Sequence, residues 1–134
     1  PYTSYCNTLL YVLKLYQNVV MSYLFLLGII NSSLIGWYYR KRFQISPDDT
    51  FPQILIRDIL QFPIPLPDKA RHDRMVKLVE TMLDLHRRLQ RSRLPEEKTQ
   101  LQRRITATDH RINQLVYDLY GLSREEIRIV EEAT

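Results

Sequence analysis

Between positions 68 and 120, hydrophobic residues recur every three or four positions, which predicts two amphipathic helices. The apolar stripe of the first helix consists of Met75, Leu78, Val79, Met82, Leu83, Leu85 and Leu89. The stripe of the second consists of Leu101, Ile105, Thr108, Ile112, Leu115 and Leu119. Asp68 can cap the first helix, and Pro95 suits the first turn of the second. Because only a short break at 92–95 separates the stripes, we predict an antiparallel helical hairpin.

The end of this hairpin carries signals for one helix to stop and another to start. Gly121 follows the apolar run and suits a left-handed position, where a Cβ would be penalised. Ser123 can cap the next helix, and Glu126, three residues later, can complete a capping box. Residues 123–132 are therefore predicted to form a short acidic terminal helix.

The first third of the chain is apolar with a less regular pattern. Residues 8–16 predict a strand, and residues 19–43 predict one long helix that ends in Arg40-Lys41-Arg42. The expected buried face of that helix is Tyr23, Leu26, Leu27, Ile30, Leu34 and Trp37. Close approach of a neighbouring element is expected at the small residues Gly28, Ser32, Ser33 and Gly36.

Residues 44–67 predict irregular structure with little regular pairing. Ile54-Leu55-Ile56 is typical of a short strand, whereas the three prolines of residues 62–67 favour an extended edge segment. We therefore expect a mainly α fold with a small β component: a long core helix, short strands and the hairpin. The expected domains are 1–67 and a helical hairpin spacer at 68–134.

The apolar helix at 19–43 has a second interpretation as a membrane span. Residues 15–39 contain no charged residue and are followed by three basic ones, as at a cytoplasmic membrane boundary. However, the densest apolar run, residues 19–30, is only 12 residues long and polar residues flank it. A run of that length is more often a core helix than a span. We favour the core helix and keep open a single-span protein with a cytoplasmic coiled coil.

Composition limits the remaining possibilities. The 134 residues suffice for about one domain, and 45% hydrophobic with 25% charged residues is typical of a globular chain. The single cysteine, Cys6, excludes an internal disulfide and fits a reducing compartment. Because the chain begins at Pro1, we expect it to be a fragment of a longer protein.

Motifs for catalysis or metal binding are not found in the sequence. There is no Gly-rich phosphate loop and no GxSxG motif, and His72, His86 and His110 are not spaced as metal ligands. We therefore predict no catalytic residue and no metal ligand in this chain. His86 lies beside the apolar stripe and is expected to be a partly buried structural histidine.

Basic residues form two clusters in a chain of net charge +4. One is Arg40, Lys41 and Arg42. The other lies at the hairpin tip and comprises Arg87, Arg88, Arg91, Arg93, Lys98, Arg103 and Arg104. With Glu96 and Glu97 the tip has a local balance of 7 − 2 = +5. Such groups can neutralise phosphates, or they can simply form a solvated helix surface. Both interpretations stay open. For the tip, we do not favour phosphate contact over a solvated helix surface.

Four blocks of the sequence together resemble a known family. These are residues 23–39 around Asn31-Ser32-Ser33, Phe51-Pro52-Gln53-Ile54 with Asp58-Ile59, Phe62-Pro63-Ile64-Pro65, and the hairpin ending in residues 115–122. Their order, over roughly residues 20–132, resembles the TaqI-like C-terminal specificity domain of enzymes that combine DNA restriction with adenine methylation. The chain departs at Ile30, where leucine is frequent, and at Leu55, where a basic residue is common.

The resemblance implies a function in DNA target recognition. It implies a parent that is an adenine-specific DNA methyltransferase with endonuclease activity, using S-adenosylmethionine and Mg²⁺, with the methyltransferase domain upstream. The chain itself is then a non-catalytic, cytoplasmic fragment that positions the recognition domain on double-stranded DNA, away from membranes. Arg40, Lys41 and Arg42 are the predicted DNA-binding residues. The alternative is a structural or partner-binding helical hairpin without a nucleic-acid role.

Overall fold

The computed structural model describes residues 22–42 and 61–133, and in these two stretches the chain is largely helical. The helices are α1 (Tyr23–Ile30), α2 (Ser33–Arg42), α3 (Lys69–Arg91), α4 (Pro95–Tyr120) and α5 (Arg124–Glu132).

The predicted hairpin is formed by α3 and α4. Asp68 caps α3 by accepting a hydrogen bond from the backbone N–H of Arg71 at 3.3 Å, and Pro95 occupies the first turn of α4. The Arg71 guanidinium also reaches Asp118 at 3.2 Å. Because this ion pair joins the start of α3 to the end of α4, the two helices run antiparallel, as predicted.

The predicted helix stop and restart after α4 are also confirmed. Gly121 has a φ of 67°, in the left-handed region. Its N–H donates to the Asp118 carbonyl at 3.1 Å, while the next N–H, of Leu122, donates to the Tyr117 carbonyl at 3.0 Å. This pair of bonds is a Schellman motif, which satisfies the last carbonyls of the helix. Ser123 and Glu126 then form the predicted capping box of α5.

The prediction of one unbroken helix over 19–43 is wrong within the described residues. The helix ends at Ile30, and a new one begins at Ser33. The Ser32 hydroxyl donates to the Ile29 carbonyl at 2.6 Å and accepts from the Ile35 N–H at 3.3 Å. The Asn31 side chain donates to the Leu27 carbonyl at 3.0 Å. These polar side chains take over backbone partners and so divide the helix.

The predicted buried face of α1 is wrong as well. Tyr23 is 54% exposed and Leu27 is 41% exposed, whereas Phe25 and Ile29 are fully buried. Because α1 is apolar almost all the way round, its periodicity does not single out one face.

Close approach at a small residue selects the buried face of α1. A Cβ on Gly28 would lie 2.6 Å from Met75 Sδ and 3.0 Å from Val79 Cγ2, so α1 and α3 meet there. Close approach at Gly28 is therefore confirmed. At Gly36 it is wrong, because nothing lies within 4 Å of the equivalent position.

One hydrophobic core joins α1 and α2 to the hairpin. Phe25 and Ile29 of α1 pack in the same cluster as Met75 of α3 and Val116 of α4. Protein therefore covers the apolar segment at the start of the described chain. The division into domains at residue 67 stays a prediction, although residues on both sides contribute to this core.

The predicted small β component is not present among residues 22–42 and 61–133, where no strand is formed. The fold class predicted from the sequence is therefore wrong in this respect. Among the described residues, α1 and α2 pack on other helices. The predicted strands at 8–16 and 54–56 lie outside the described residues. Residues 62–68 form neither helix nor strand, consistent with prolines that lack a backbone N–H.

Candidate nucleic-acid interface

The predicted DNA-binding residues lie together on the last turn of α2. Arg40, Lys41 and Arg42 are all exposed. Positive charge at the C-terminal end of a helix interacts favourably with the helix dipole, so this location stabilises α2. The same location exposes three cationic side chains at one end of the helix.

Two contacts hold α2 in position beneath these cations. At its start, the Ser33 N–H donates to Asn113 Oδ1 of α4 at 3.0 Å. Near its end, Tyr38 and Tyr39 pack edge-on against Phe62, with ring centroids 6.2 and 5.9 Å apart. Sequence analysis identified neither Asn113 nor Phe62 as supports. Phe62 could have been noticed as the aromatic residue of the Phe-Pro-Ile-Pro block, for which the sequence indicated no packing partner.

Tyr120 ties this aromatic group to the end of α4. Its hydroxyl donates to the carbonyl of Pro63, in the segment that carries Phe62. Burial of the phenol, with a smaller contribution from nearby Tyr38, raises the pKa of Tyr120 to about 12. The phenol therefore remains protonated, and able to donate, over the physiological pH range. The support of the α2 cations is thus connected to the hairpin through residues 62–63.

The second basic cluster lies at the hairpin tip, as predicted. Its seven cations are exposed; Arg93 lies in the loop of residues 92–94 between α3 and α4, and the other six flank that loop. Within the part of the chain that the structure describes, only Arg88 of this set makes an ion pair, 4.0 Å from Asp84. The tip cations are thus mostly not neutralised by acidic neighbours.

The two basic clusters lie towards opposite ends of the hairpin. The aromatic contacts of α2 place Arg40–Arg42 near the end formed by Asp68 and Tyr120, away from the 92–94 loop. The 23 residues of α3 span this distance, and at 1.5 Å per residue the helix is about 35 Å long.

The prediction for His86 is wrong, since this residue is exposed and lines an open recess of about 490 Å³ between α1 and the hairpin. The partly buried histidine is His72. Its Nε2 accepts a hydrogen bond from the Ser22 N–H at 3.0 Å, and its ring stacks on Phe25 with centroids 5.3 Å apart. His110 is exposed. Residues 22–42 and 61–133 contain no group of three or more histidine, cysteine or acidic residues able to hold a metal ion.

The membrane-span interpretation depended on a long apolar helix. Among the helices that the structure describes, none combines the length and the apolar character that crossing a bilayer requires.

Comparison with known families identifies the first half of the chain. Residues 2–64 match the family model described as the TaqI-like C-terminal specificity domain. This segment, which ends just before α3, is therefore similar to that family, and the resemblance noted from the sequence is confirmed there. The match indicates a role in target recognition in restriction–modification. It begins earlier than the predicted start near residue 20 and ends at residue 64, so it does not include the hairpin.

No curated protein and no solved structure matches the chain.

Proposed function

We propose that this chain is a non-catalytic part of the DNA target recognition domain of a restriction–modification enzyme, and that it positions this domain on duplex DNA. The observation that carries the proposal is the specificity-domain match over residues 2–64, which contains the exposed cluster Arg40–Arg42. In this mechanism the cluster contacts backbone phosphates. Phosphate contacts set the position and orientation of the protein, while base contacts made elsewhere read the sequence.

The contacts that support α2 are consistent with a positioning role. A cation on a loosely held helix would contribute charge without fixing a register on DNA. Here the hydrogen bond from Ser33 to Asn113 and the packing of Tyr38 and Tyr39 on Phe62 connect α2 to α4 and to residues 62–63. The hairpin would thus serve as the scaffold that keeps the phosphate-contacting end of α2 in place.

The chemistry of the parent enzyme would reside in other domains. We expect an upstream methyltransferase domain to bind S-adenosylmethionine and a nuclease centre to use Mg²⁺, in a cytoplasmic protein that acts on DNA. The described residues offer exposed cations rather than a cluster of acidic ligands, which fits a contact to phosphates better than a metal-dependent reaction centre.

The test is a salt titration of duplex binding by the full-length protein with Arg40, Lys41 and Arg42 all replaced by alanine. If each cation contacts one phosphate, the slope of log affinity against log salt should become shallower by up to about 3. Fluorescence anisotropy with a labelled duplex measures both affinity and slope. Circular dichroism of the variant verifies that α2, which loses favourable charge at its end, remains folded.

A matched control removes three exposed cations elsewhere, with Lys77, Arg111 and Arg124 replaced by alanine. Its net charge changes equally, so it should retain most of the affinity if the α2 cluster is the contact site. An α2 variant that binds like the unmodified protein would remove these residues from the mechanism. Failure of the unmodified protein to bind duplex DNA even at low salt would instead favour a structural hairpin.

A further inference from the structure

The positive charge of the chain is concentrated at the hairpin tip. Residues 85–104 contain seven cations and two acidic residues, which gives 7 − 2 = +5. The whole chain has a net charge of +4, so all other residues together sum to 4 − 5 = −1. Like charges in proximity repel one another, and such an arrangement lowers folded-state stability unless a polyanion neutralises it. The tip is therefore a candidate binding surface rather than an average part of a basic protein.

At the hairpin tip, one buried hydroxyl has no hydrogen-bond partner among the described residues, and the start of α4 has no side-chain cap. Ser92 is 8% exposed, and its hydroxyl has no hydrogen-bond partner among the residues that the structure describes. The neighbouring residue Leu94 stands at the start of α4, where it provides no side-chain cap for the first backbone N–H groups. The N-terminal end of this 26-residue helix thus adds partial positive charge beside the cations, which Glu96 and Glu97 in its first turn partly offset.

A recess of about 340 Å³ brings these features together. It is lined by Arg88, Arg91, Ser92, Arg93, Leu94 and Glu97. Three arginines beside a helix start suit a phosphate oxygen, because arginine binds phosphates with paired, charge-assisted hydrogen bonds. Glu97 opposes an anion at this site, and its effect can be tested separately.

We propose that the hairpin tip is a second contact for the phosphate backbone of duplex DNA, acting together with Arg40–Arg42 at the other end of the hairpin. The length of α3, about 35 Å, is close to one helical turn of B-DNA, which is about 34–36 Å. One duplex can therefore offer phosphates to both clusters. The proposal rests on the proposed function, and it gives the hairpin, which lies outside the family match, a direct part in DNA binding.

The test compares the Arg91→Ala, Arg93→Ala double variant of the full-length protein with the unmodified protein on a labelled 30-base-pair duplex. Two lost phosphate contacts should weaken binding roughly 10- to 60-fold at 0.1 M salt and make the salt slope shallower by about 2. The matched control, Lys77→Ala with Arg111→Ala, removes two exposed cations from the middle of the hairpin and should change affinity much less.

A second variant tests the recess itself. Glu97→Gln removes the negative charge that lines the recess and retains the size of the side chain. Duplex affinity should rise roughly twofold or more if a phosphate lies there, with little change in thermal stability. No change in affinity would place the bound phosphate outside the recess and overturn this part of the proposal.

The outcomes separate this proposal from the function proposed above. If the tip variant binds like the unmodified protein while the α2 variant binds weakly, the tip contact is overturned and the α2 contact stands. If the tip variant is weakened and the α2 variant is not, the tip contact stands, and its joint action with the α2 cluster is overturned. Equal weakening by the mid-hairpin control would show a general charge effect and overturn the tip site. Unchanged duplex binding with lost binding to anionic phospholipid vesicles would overturn it in favour of a membrane surface.

Discussion

The two short helices α1 and α2 differ from the hairpin in how their structure is determined. The hairpin helices are 23 and 26 residues long and strongly amphipathic, so the sequence of each helix determines both its length and its buried face. By contrast, α1 and α2 have 8 and 10 residues, and α1 is apolar almost all round. Isolated helices of that length are marginal in water. The described part of the family-matched segment therefore depends on a partner that lies outside the match.

This dependence connects fold and function. The cations at the end of α2 can be held at one place only if α2 itself is held, and its supports at Asn113 and Tyr120 belong to α4. A specificity-domain segment and a helical hairpin thus share one core, and weakening either should weaken the other. The following predictions test that connection, beginning with the largest expected effect.

Phe25→Ala should give the largest loss of stability. Phe25 is fully buried between α1 and the hairpin, and its ring also stacks on His72. Removal of a fully buried phenylalanine costs about 3–5 kcal/mol of unfolding free energy, through lost burial and the cavity that remains. Urea denaturation, followed both by fluorescence of the single tryptophan, Trp37, and by circular dichroism, would measure the loss and show whether α2 and the hairpin unfold together.

The control is Leu27→Ala in the same helix. Leu27 is 41% exposed, so its truncation should cost much less than that of Phe25. An equal loss for the two variants would mean that α1 buries Leu27 as deeply as Phe25, as expected from the sequence. Fluorescence and circular dichroism transitions that separate in the unmodified protein would show that α1 and α2 unfold independently, against a shared core.

Gly28→Ala should destabilise the contact between α1 and α3. The new Cβ would lie 2.6 Å from Met75 Sδ and 3.0 Å from Val79 Cγ2, and Met75 is fully buried. Overpacking of this kind costs about 1–3 kcal/mol, although alanine favours the helix by up to about 1 kcal/mol. The net loss would be measured as a lower midpoint of urea unfolding.

Gly36→Ala provides the matched comparison, because it makes the same substitution in α2 where nothing lies within 4 Å. Only the helix preference then remains, and stability should rise by up to about 1 kcal/mol. A Gly28→Ala variant that is stabilised as much as Gly36→Ala would contradict the close approach of α1 to α3.

These two glycines also show how far sequence reasoning reaches in this chain. The hairpin, the Asp68 cap, the Gly121 stop and the capping box follow from local chemistry, and they were predicted correctly. The face of α1 does not follow from local chemistry, since it is set by where α3 can approach. Gly28 and Gly36 look alike in sequence, yet only Gly28 meets another helix.

Only part of the candidate interface could be predicted from the sequence. The positions of the cations at the end of α2 and at the hairpin tip follow from helix boundaries that the sequence indicates. Their supports do not, because Phe62 and Asn113 contact α2 across long sequence separations. The predicted β component was wrong for the described residues, where a helical hairpin provides the apolar surface on which α1 and α2 pack.

The link between residues 62–63 and α4 should fail at alkaline pH. The pKa of Tyr120 is raised to about 12 by burial, against about 10 for an unfolded tyrosine. A raised folded-state pKa means that this contribution to stability is fully present below pH 10 and is lost as pH rises from about 10 to 12. Since Tyr120 is only half-buried, we expect a loss of about 1–2 kcal/mol over that range.

Tyr120→Phe isolates this effect from the other tyrosines of the chain. The variant lacks the hydrogen bond to the Pro63 carbonyl and should be less stable near neutral pH by about 1 kcal/mol. The difference between the two proteins should shrink between pH 10 and 12, measured by urea unfolding at each pH. A constant difference across that range would show that the phenol does not titrate with a raised pKa.

The smallest expected effect concerns α5, which packs against α2. Ser123→Ala removes the cap that accepts from the Glu126 N–H at 3.2 Å, at a cost of about 1 kcal/mol. Val130 of α5 is buried in the shared core, so fraying of α5 should also reach α2. Hydrogen exchange should therefore rise in α5 and, to a smaller extent, in α2, while the hairpin tip remains unchanged. Because the Glu126 side chain also accepts from the Ser123 N–H at 3.3 Å, a cycle with Glu126→Ala should give a double loss smaller than the sum of the single losses. Faster exchange confined to α5 would mean that α2 rests on the hairpin alone.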